Sequence, residues 1–279
     1  MLKTRVITAL ILFFAFLAAL FYLPTLGWTV FTTGVMAVAA WEWGALLRLS
    51  NSGRWFFALL LALICAAIAW LEPAALALVG PSTPQAAWRL GRCFYGPAAI
   101  FWFAGVPLWL WRRWLLNSLP LGLAIGLLLL LPAWLAMIQL RQAGPWVLLA
   151  IMMIVWLADT GAYFAGRRWG RHKLAPNISP GKTWEGAAGG AVAVIVYGFV
   201  VSYYFPGVLT ASAWRLLIAL LVVTGVSIIG DLLESLLKRQ AGLKDSSNIL
   251  PGHGGLLDRI DSLTSTLPIV ALFWLAVVH

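Results

Sequence analysis

The sequence predicts an all-α, polytopic membrane protein with about nine transmembrane helices, a cytoplasmic N-terminus, and polar loops between spans six and seven and between spans eight and nine. Three observations predict it. Of 279 residues, 62% are hydrophobic and only 10% charged, where a soluble domain carries roughly 25% charged residues. The apolar residues fall in runs that suit a hydrocarbon layer of about 30 Å, which takes roughly 20 residues per helix. The 19 Lys and Arg residues fall mostly on one side once those runs are threaded through a bilayer.

In chain order the expected spans are 6–23, 27–47, 55–71, 94–111, 119–140, 146–166, 186–205, 213–237 and 262–278. The first has the charged start of a signal peptide, but its run of 18 residues is long for one, and no small-x-small cleavage site closes it. Pro107, Pro120 and Pro132 interrupt the fourth and fifth, which membrane helices tolerate where neighbours re-satisfy the backbone. With the N-terminus inside, 15 of the 19 basic residues are cytoplasmic and 4 (Arg89, Arg92, Arg141 and Arg215) are not. The net charge of +10 is scattered over span ends, which argues for topology and anionic ligands and against a nucleic-acid partner. Cys65 and Cys93 share no metal-ligand spacing. No internal repeat divides the chain, so residues 1–279 read as a single integral membrane domain, with 1–145 mainly helical scaffold and 146–279 the catalytic half.

Seven of nine carboxylates lie between residues 159 and 261, at or beside the two cytoplasmic loops. Span eight ends in "GDLLESLLKRQAGLKD", where Asp231, Glu234 and Lys238 share one helix face that cannot meet lipid. The following "LPGHGG" is irregular backbone whose amides, beside Lys238, Arg239, Lys244 and Arg259, can cradle phosphate oxygens. Asp258 and Asp261 then form an i, i+3 pair. Carboxylates for a hard cation and basic groups for phosphates are the two halves of phosphoryl or nucleotidyl transfer. Asp231, Asp258 and Asp261 are the candidate ligands of a Mg²⁺-like ion. The other loop repeats the chemistry: Asp159 lies within a span, and "SPGKTWEG" offers Ser179, Lys182, Thr183 and Glu185. That segment lacks the first glycine and the strand of a Walker motif. Arg167, Arg168 and Arg171 suit a topological anchor, and solvated helix ends remain the plain alternative for the charges of span eight.

At these residues the chain resembles the phosphatidate cytidylyltransferases (CDP-diacylglycerol synthases) of bacterial inner membranes. The resemblance rests on Ser235, Lys238, Arg239, Lys244, Asp245, Ser247, Leu250, Pro251, His253, Gly254, Gly255, Asp258, Arg259 and Asp261, which follow that family's signature without a departure. "ISPGKTWEG" is similar to a second family segment, whereas the first 150 residues match in general character only, apart from "AAWEWG" around Glu42. The resemblance implies that phosphatidate and CTP give CDP-diacylglycerol and pyrophosphate with one or two Mg²⁺ ions, and that Asp231 and Asp258 bear on the metal. Metal contact by Asp261 and Glu234 extends that reading. Lys238, Arg239, Lys244, Asp245, His253 and Arg259 are the expected catalytic residues, and Ser179, Lys182, Thr183, Glu185, Gly254 and Gly255 the expected substrate contacts. His253 either assists the leaving pyrophosphate or bonds the loop backbone. The expected partners are CTP and phosphatidate in the bilayer, with a homodimer left open, in a multi-pass protein of the bacterial inner membrane.

Two other readings are weaker. A CDP-alcohol phosphotransferase would carry a D-G-x-x-A-R motif that is absent, and an ion-coupled transporter would spread charge through several helices and show inverted repeats. Glu42 reads as a buried structural carboxylate, a headgroup neighbour, or, favoured, an interfacial charge beside its tryptophans.

Overall fold

The structure is a computed structural model that describes residues 2–80, 84–204 and 212–278. Apolar sequence that must satisfy its own amides forms helix, and nearly all of the chain does. Helices α1 (Leu2–Tyr22), α2 (Thr25–Leu46) and α3 (Asn51–Leu71) are followed by a 3-10 turn at Pro73–Leu76. Helix α4 (Pro84–Ile100) runs through a π turn, Phe101–Gly105, into α5 (Val106–Arg112). After α6 (Leu119–Ala143) and α7 (Pro145–Trp169) comes a hairpin of β1 (Lys173–Ala175) and β2 (Ser179–Thr183), then α8 (Trp184–Tyr204), α9 (Ala213–Ala241) and α10 (Leu257–Val278).

Six of these helices are long and apolar enough to cross a membrane: α3, the continuous Gln85–Arg112, α6, α7, α8 and α9. The protein is therefore a multi-pass membrane protein. The fourth expected span starts ten residues earlier than the apolar run suggested, because Arg89 within it is neutralised by Glu72 at 2.8 Å. The π turn leads into Pro107, where a residue without an N–H is accommodated beside a locally widened ladder. The segment read as a loop between spans six and seven contains the hairpin, with Lys173 paired to Thr183 and Ala175 to Ser179. The expected seventh span ended at residue 205, which lies outside the described residues.

Helix α6 is the centre, buried continuously from Leu129 to Leu140. It seats α2 through Trp43, whose indole donates to the Gly122 carbonyl at 3.0 Å and lies flat against Gly126. The remaining helices meet through small residues, as expected where apolar contact with a neighbour gains little over contact with lipid. A Cβ on Gly190 of α8 would stand 2.6 Å from the Ala158 carbonyl of α7, and one on Gly186 would stand 2.9 Å from that of Ala162. Helix α10 fits against Gly230 of α9, with Ser265 donating to the Val226 carbonyl at 3.0 Å and Ser262 to that of Ser227 at 3.3 Å. These close approaches bring Asp159, Asp231 and the start of α10 to one end of the bundle.

Gly190→Val should lower stability by about 1–3 kcal/mol, because the obstacle is backbone and cannot yield. Gly225→Ala, whose Cβ meets nothing within 4 Å, should be neutral or stabilise by about 0.5–1 kcal/mol. Unfolding temperatures of the two variants in detergent check both.

Candidate active site

Between α7, α8, α9 and the hairpin lies an open cavity of about 490 Å³. Its walls are mostly small and apolar, including Ala158, Ala162, Gly166, Gly186, Ala187 and Gly190, and its polar groups are Asp159, Tyr163, Arg167, Ser179, Lys182, Thr183, Thr224 and Asp231. Arg167, expected only as a topological anchor, thus lines the cavity and donates to the Tyr163 hydroxyl at 2.9 Å. The sequence supplies this shape directly. The glycines that let α7 and α8 approach leave no side chains to fill the space, and β2 carries Lys182 over it.

Lys182 Nζ stands 2.6 Å from Asp231 Oδ2, and Ser235, one turn along α9, donates to Oδ1 at 3.2 Å. Thr183 Oγ1 accepts from the Gly186 amide at 3.1 Å, so the residue that lines the cavity also caps α8. Glu185 does not face the cavity: its carboxylate accepts from the His172 amide at 3.2 Å, and His172 Nδ1 lies 2.6 Å from Oε1. It holds the hairpin to the first turn of α8.

Beside the cavity, Lys238 joins two carboxylates, with Nζ 2.5 Å from Glu234 Oε2 and 2.6 Å from Asp258 Oδ1. The Glu234 contact is an ion pair without hydrogen-bond geometry. Asp258 Oδ2 accepts from the Ser246 amide (2.9 Å), the Ser246 hydroxyl (3.1 Å) and the Gly255 amide (2.8 Å). Asp258 precedes the span expected over 262–278. Burial opposes its ionisation, but the hydrogen bonds, led by that from Lys238, outweigh burial and lower its pKa to about 2. It is therefore a full negative charge at neutral pH.

Asp261 and Glu234 line a small void of about 10 Å³ behind the site, among Trp43, Trp102, Leu257 and Thr264. That is room for about one water. Asp261 nevertheless interacts electrostatically with Asp231, Asp159 and Lys238, and Asp159 with Asp231, Lys182 and Arg259, so the groups form one cluster. Five carboxyl groups, Asp159, Asp231, Glu234, Asp258 and Asp261, share this end of the bundle with Lys182, Lys238, Arg259 and Arg167. The oxygen-only donor set suits a divalent hard cation held by one or two carboxylates and completed by substrate phosphates. Among the described residues no three His, Cys, Asp or Glu side chains converge as a ready metal cage. The lysines stand between the carboxylates instead.

The glycine-rich loop is built as its residues demand. Gly252 (φ 78°) and Gly254 (φ 80°) are left-handed, a conformation costly to residues with a Cβ, and Leu250 and Gly254 form an isolated bridge. Arg259 donates to the His253 carbonyl through Nε (3.1 Å) and a terminal nitrogen (2.6 Å). Arg239, Lys244 and Asp245 are exposed around the loop. Neither Gly254 nor Gly255 lines the open cavity.

Two residues outside the expected set belong here. Asp159 is in the cavity, and its position inside an apolar run was the available signal. Glu42 is not an interfacial charge: it is fully buried and accepts from Ser246, Ser247 and the amides of Leu256 and Leu257. Nothing in the pattern around it pointed to a partner more than 200 residues away.

The sequence profile described as the cytidylyltransferase family matches residues 3–277. Among curated proteins, the phosphatidate cytidylyltransferase of Pseudomonas aeruginosa is 42% identical, over 99% of this chain and 98% of the relative. That of Haemophilus influenzae is 32% identical over 98% and 99%, and that of Brucella suis 33% identical over 98% and 93%.

Glu185→Ala should loosen the hairpin without removing any side chain of the carboxylate cluster. Limited trypsin digestion should then cut faster at Arg171 and Lys173, both exposed, while cleavage elsewhere stays unchanged.

Proposed function

The chain belongs to the cytidylyltransferase family and is a nucleotidyltransferase, and we propose that it joins CTP and phosphatidate into CDP-diacylglycerol and pyrophosphate at the cytoplasmic face of a bacterial inner membrane. The observation that carries this reading is the pairing of Lys182 with Asp231 at an open cavity with largely apolar walls, next to the Lys238–Asp258 pair. Such a cavity can admit a phosphate-bearing headgroup while its acyl chains remain among helices.

In the reaction a phosphate oxygen of phosphatidate forms a bond to the α-phosphorus of CTP, the bond from that phosphorus to the β-phosphate bridge breaks, and pyrophosphate leaves with the electron pair. The nucleophile is a phosphate monoester with a second pKa near 6, about the value for phosphorylated side chains, so it needs no strong base. The obstacle is repulsion between two polyanions. Lys182 is placed to neutralise phosphate oxygens in the cavity, with Ser179 and Thr183 as neighbouring donors. Arg239 and Lys244, exposed beside the loop, extend that positive surface towards the triphosphate, with Asp245 among them. Arg259 holds the His253 carbonyl, so we assign both to keeping the loop's amides, those of Gly254 and Gly255 included, in place. Mg²⁺ fits Asp231 and Asp258, with the carboxyl groups of Asp261 and Glu234 behind them, and when bound it would supply charge neutralisation and alignment of the phosphates.

Nine spans with a cytoplasmic N-terminus remain our topology, supported by the bias of 15 basic residues to 4. The residues of the proposed site all come from one chain, and a homodimer is compatible with it.

Purified protein in detergent, given Mg²⁺, phosphatidate and labelled CTP, should release pyrophosphate and form a liponucleotide. Asp231→Asn and Asp258→Asn should each lower the rate by roughly 10²–10³-fold, the scale of losing one charge-stabilising group. Full activity in both variants overturns the assignment. Chelation by EDTA should abolish turnover, and added Mg²⁺ should restore it.

A further inference from the structure

Glu42 sits near the C-terminal end of α2, with none of its surface exposed to solvent. A buried carboxylate is costly unless its lone pairs are filled, and here four donors fill them. Oε1 accepts from the Ser247 hydroxyl at 2.5 Å and the Leu256 amide at 2.9 Å, and Oε2 from the Ser246 hydroxyl at 3.3 Å and the Leu257 amide at 2.5 Å. All four donors come from the stretch that ends in Asp258. The two amides are among those left unsatisfied at the start of α10, so Glu42 caps that helix from a different part of the chain. The third glycine of the loop is fitted to it: a Cβ on Gly255 would lie 2.7 Å from Glu42 Oε1 and would collide with the Ser246 hydroxyl.

The same loop occupies one side of Asp258. Ser246 and Gly255 fill Oδ2, and Oδ1 remains on Lys238. The Ser246 hydroxyl has one proton and two acceptors, Glu42 Oε2 and Asp258 Oδ2, so it links the two carboxylates directly.

We propose that Glu42 is a positioning residue for the transfer reaction: by holding residues 246–257 it fixes the Asp258 carboxylate so that Oδ2 belongs to the loop and Oδ1 alone is offered to a cation. This rests on the function proposed above. Glu42 touches neither substrate nor metal; it acts through Ser246, the Gly255 turn and the first amides of α10. Glu42→Gln is isosteric but turns one acceptor oxygen into an NH₂, which the serine hydroxyl can accept from by rotating but which leaves the α10 amide on that side facing another donor. Ser247→Ala removes one of the four bonds to the carboxylate, with the bond that the Ile249 amide donates to the same hydroxyl, and leaves the carboxylate.

The test has two arms. In the first, hydrogen exchange is followed in metal-free protein in detergent. Glu42→Gln should accelerate exchange in residues 246–258 by at least roughly 10-fold while α6, α7 and α8 keep wild-type protection, and Ser247→Ala should give a smaller change in the same segment. In the second, steady-state kinetics and Mn²⁺ binding by electron paramagnetic resonance are compared. Glu42→Gln should lower kcat and weaken Mn²⁺ binding by about 10–100-fold, the usual effect of losing a group that orients a ligand, with KM for CTP little changed. Glu42→Asp should recover part of both. Wild-type exchange at 246–258 in Glu42→Gln, or loss of protection spread evenly over the chain, overturns the proposal. So does a fall in kcat matched by an equal rise in KM for CTP. Absence of CTP turnover in the wild-type protein would overturn the proposed function instead, while exchange and Mn²⁺ binding would still decide the role of Glu42.

Discussion

Charge at the edge of a hydrocarbon layer must be paired, and the pairing of carboxylates with lysines organises this protein. Asp231 is held by Lys182 from the hairpin, and Asp258 by Lys238, which Glu234 also contacts. Neither aspartate is left without a cation beside it. The two pairs thus join the hairpin, α9 and α10 into one arrangement that keeps its charges balanced.

That arrangement depends on how closely the helices pack. Lys182 reaches Asp231 only because α7 and α8 meet along glycines, and Asp258 reaches Lys238 only because α10 packs against Gly230 with its serines bonded to carbonyls of α9. Packing by small residues leaves a cavity where side chains would otherwise interdigitate. Trp43 against Gly122 and Gly126 does the same for α2 and so sets where the neighbouring Glu42 can reach.

Much of this was legible in the sequence. The helical class and the polar ends of spans six and eight follow from apolar runs interrupted by charges; Asp231 and Lys238 stood out on a helix face that cannot meet lipid, and Lys182 and Asp258 in the polar loop segments beside it. What the sequence hid was pairing at a distance. Periodicity places Asp231 and Glu234 on one helix face but does not say that Lys238 leans towards α10, or that Glu185 turns back to His172. The hairpin escaped notice because β1 has three residues and β2 contains Pro180, too short and too irregular for an alternating pattern. The start of α4 was misplaced because Arg89 and Arg92 look like loop residues until Glu72 is seen beside the first of them. Glu42 was the largest gap. A lone acid between tryptophans carries no local sign of four donors on the last helix and the loop before it.

The chain is made from its N-terminus, and this gives the Glu42 contacts a temporal side. Helix α2 is synthesised before any of its donors exist; the nearest, on Ser246, lies 204 residues further along and the farthest, on Leu257, 215. Until α9 and the loop after it emerge, none of those four hydrogen bonds can form, and the charged group nearer in the chain that interacts with the carboxylate is Arg54. The grip of Glu42 on residues 246–257 is therefore a contact that only the last part of the chain completes.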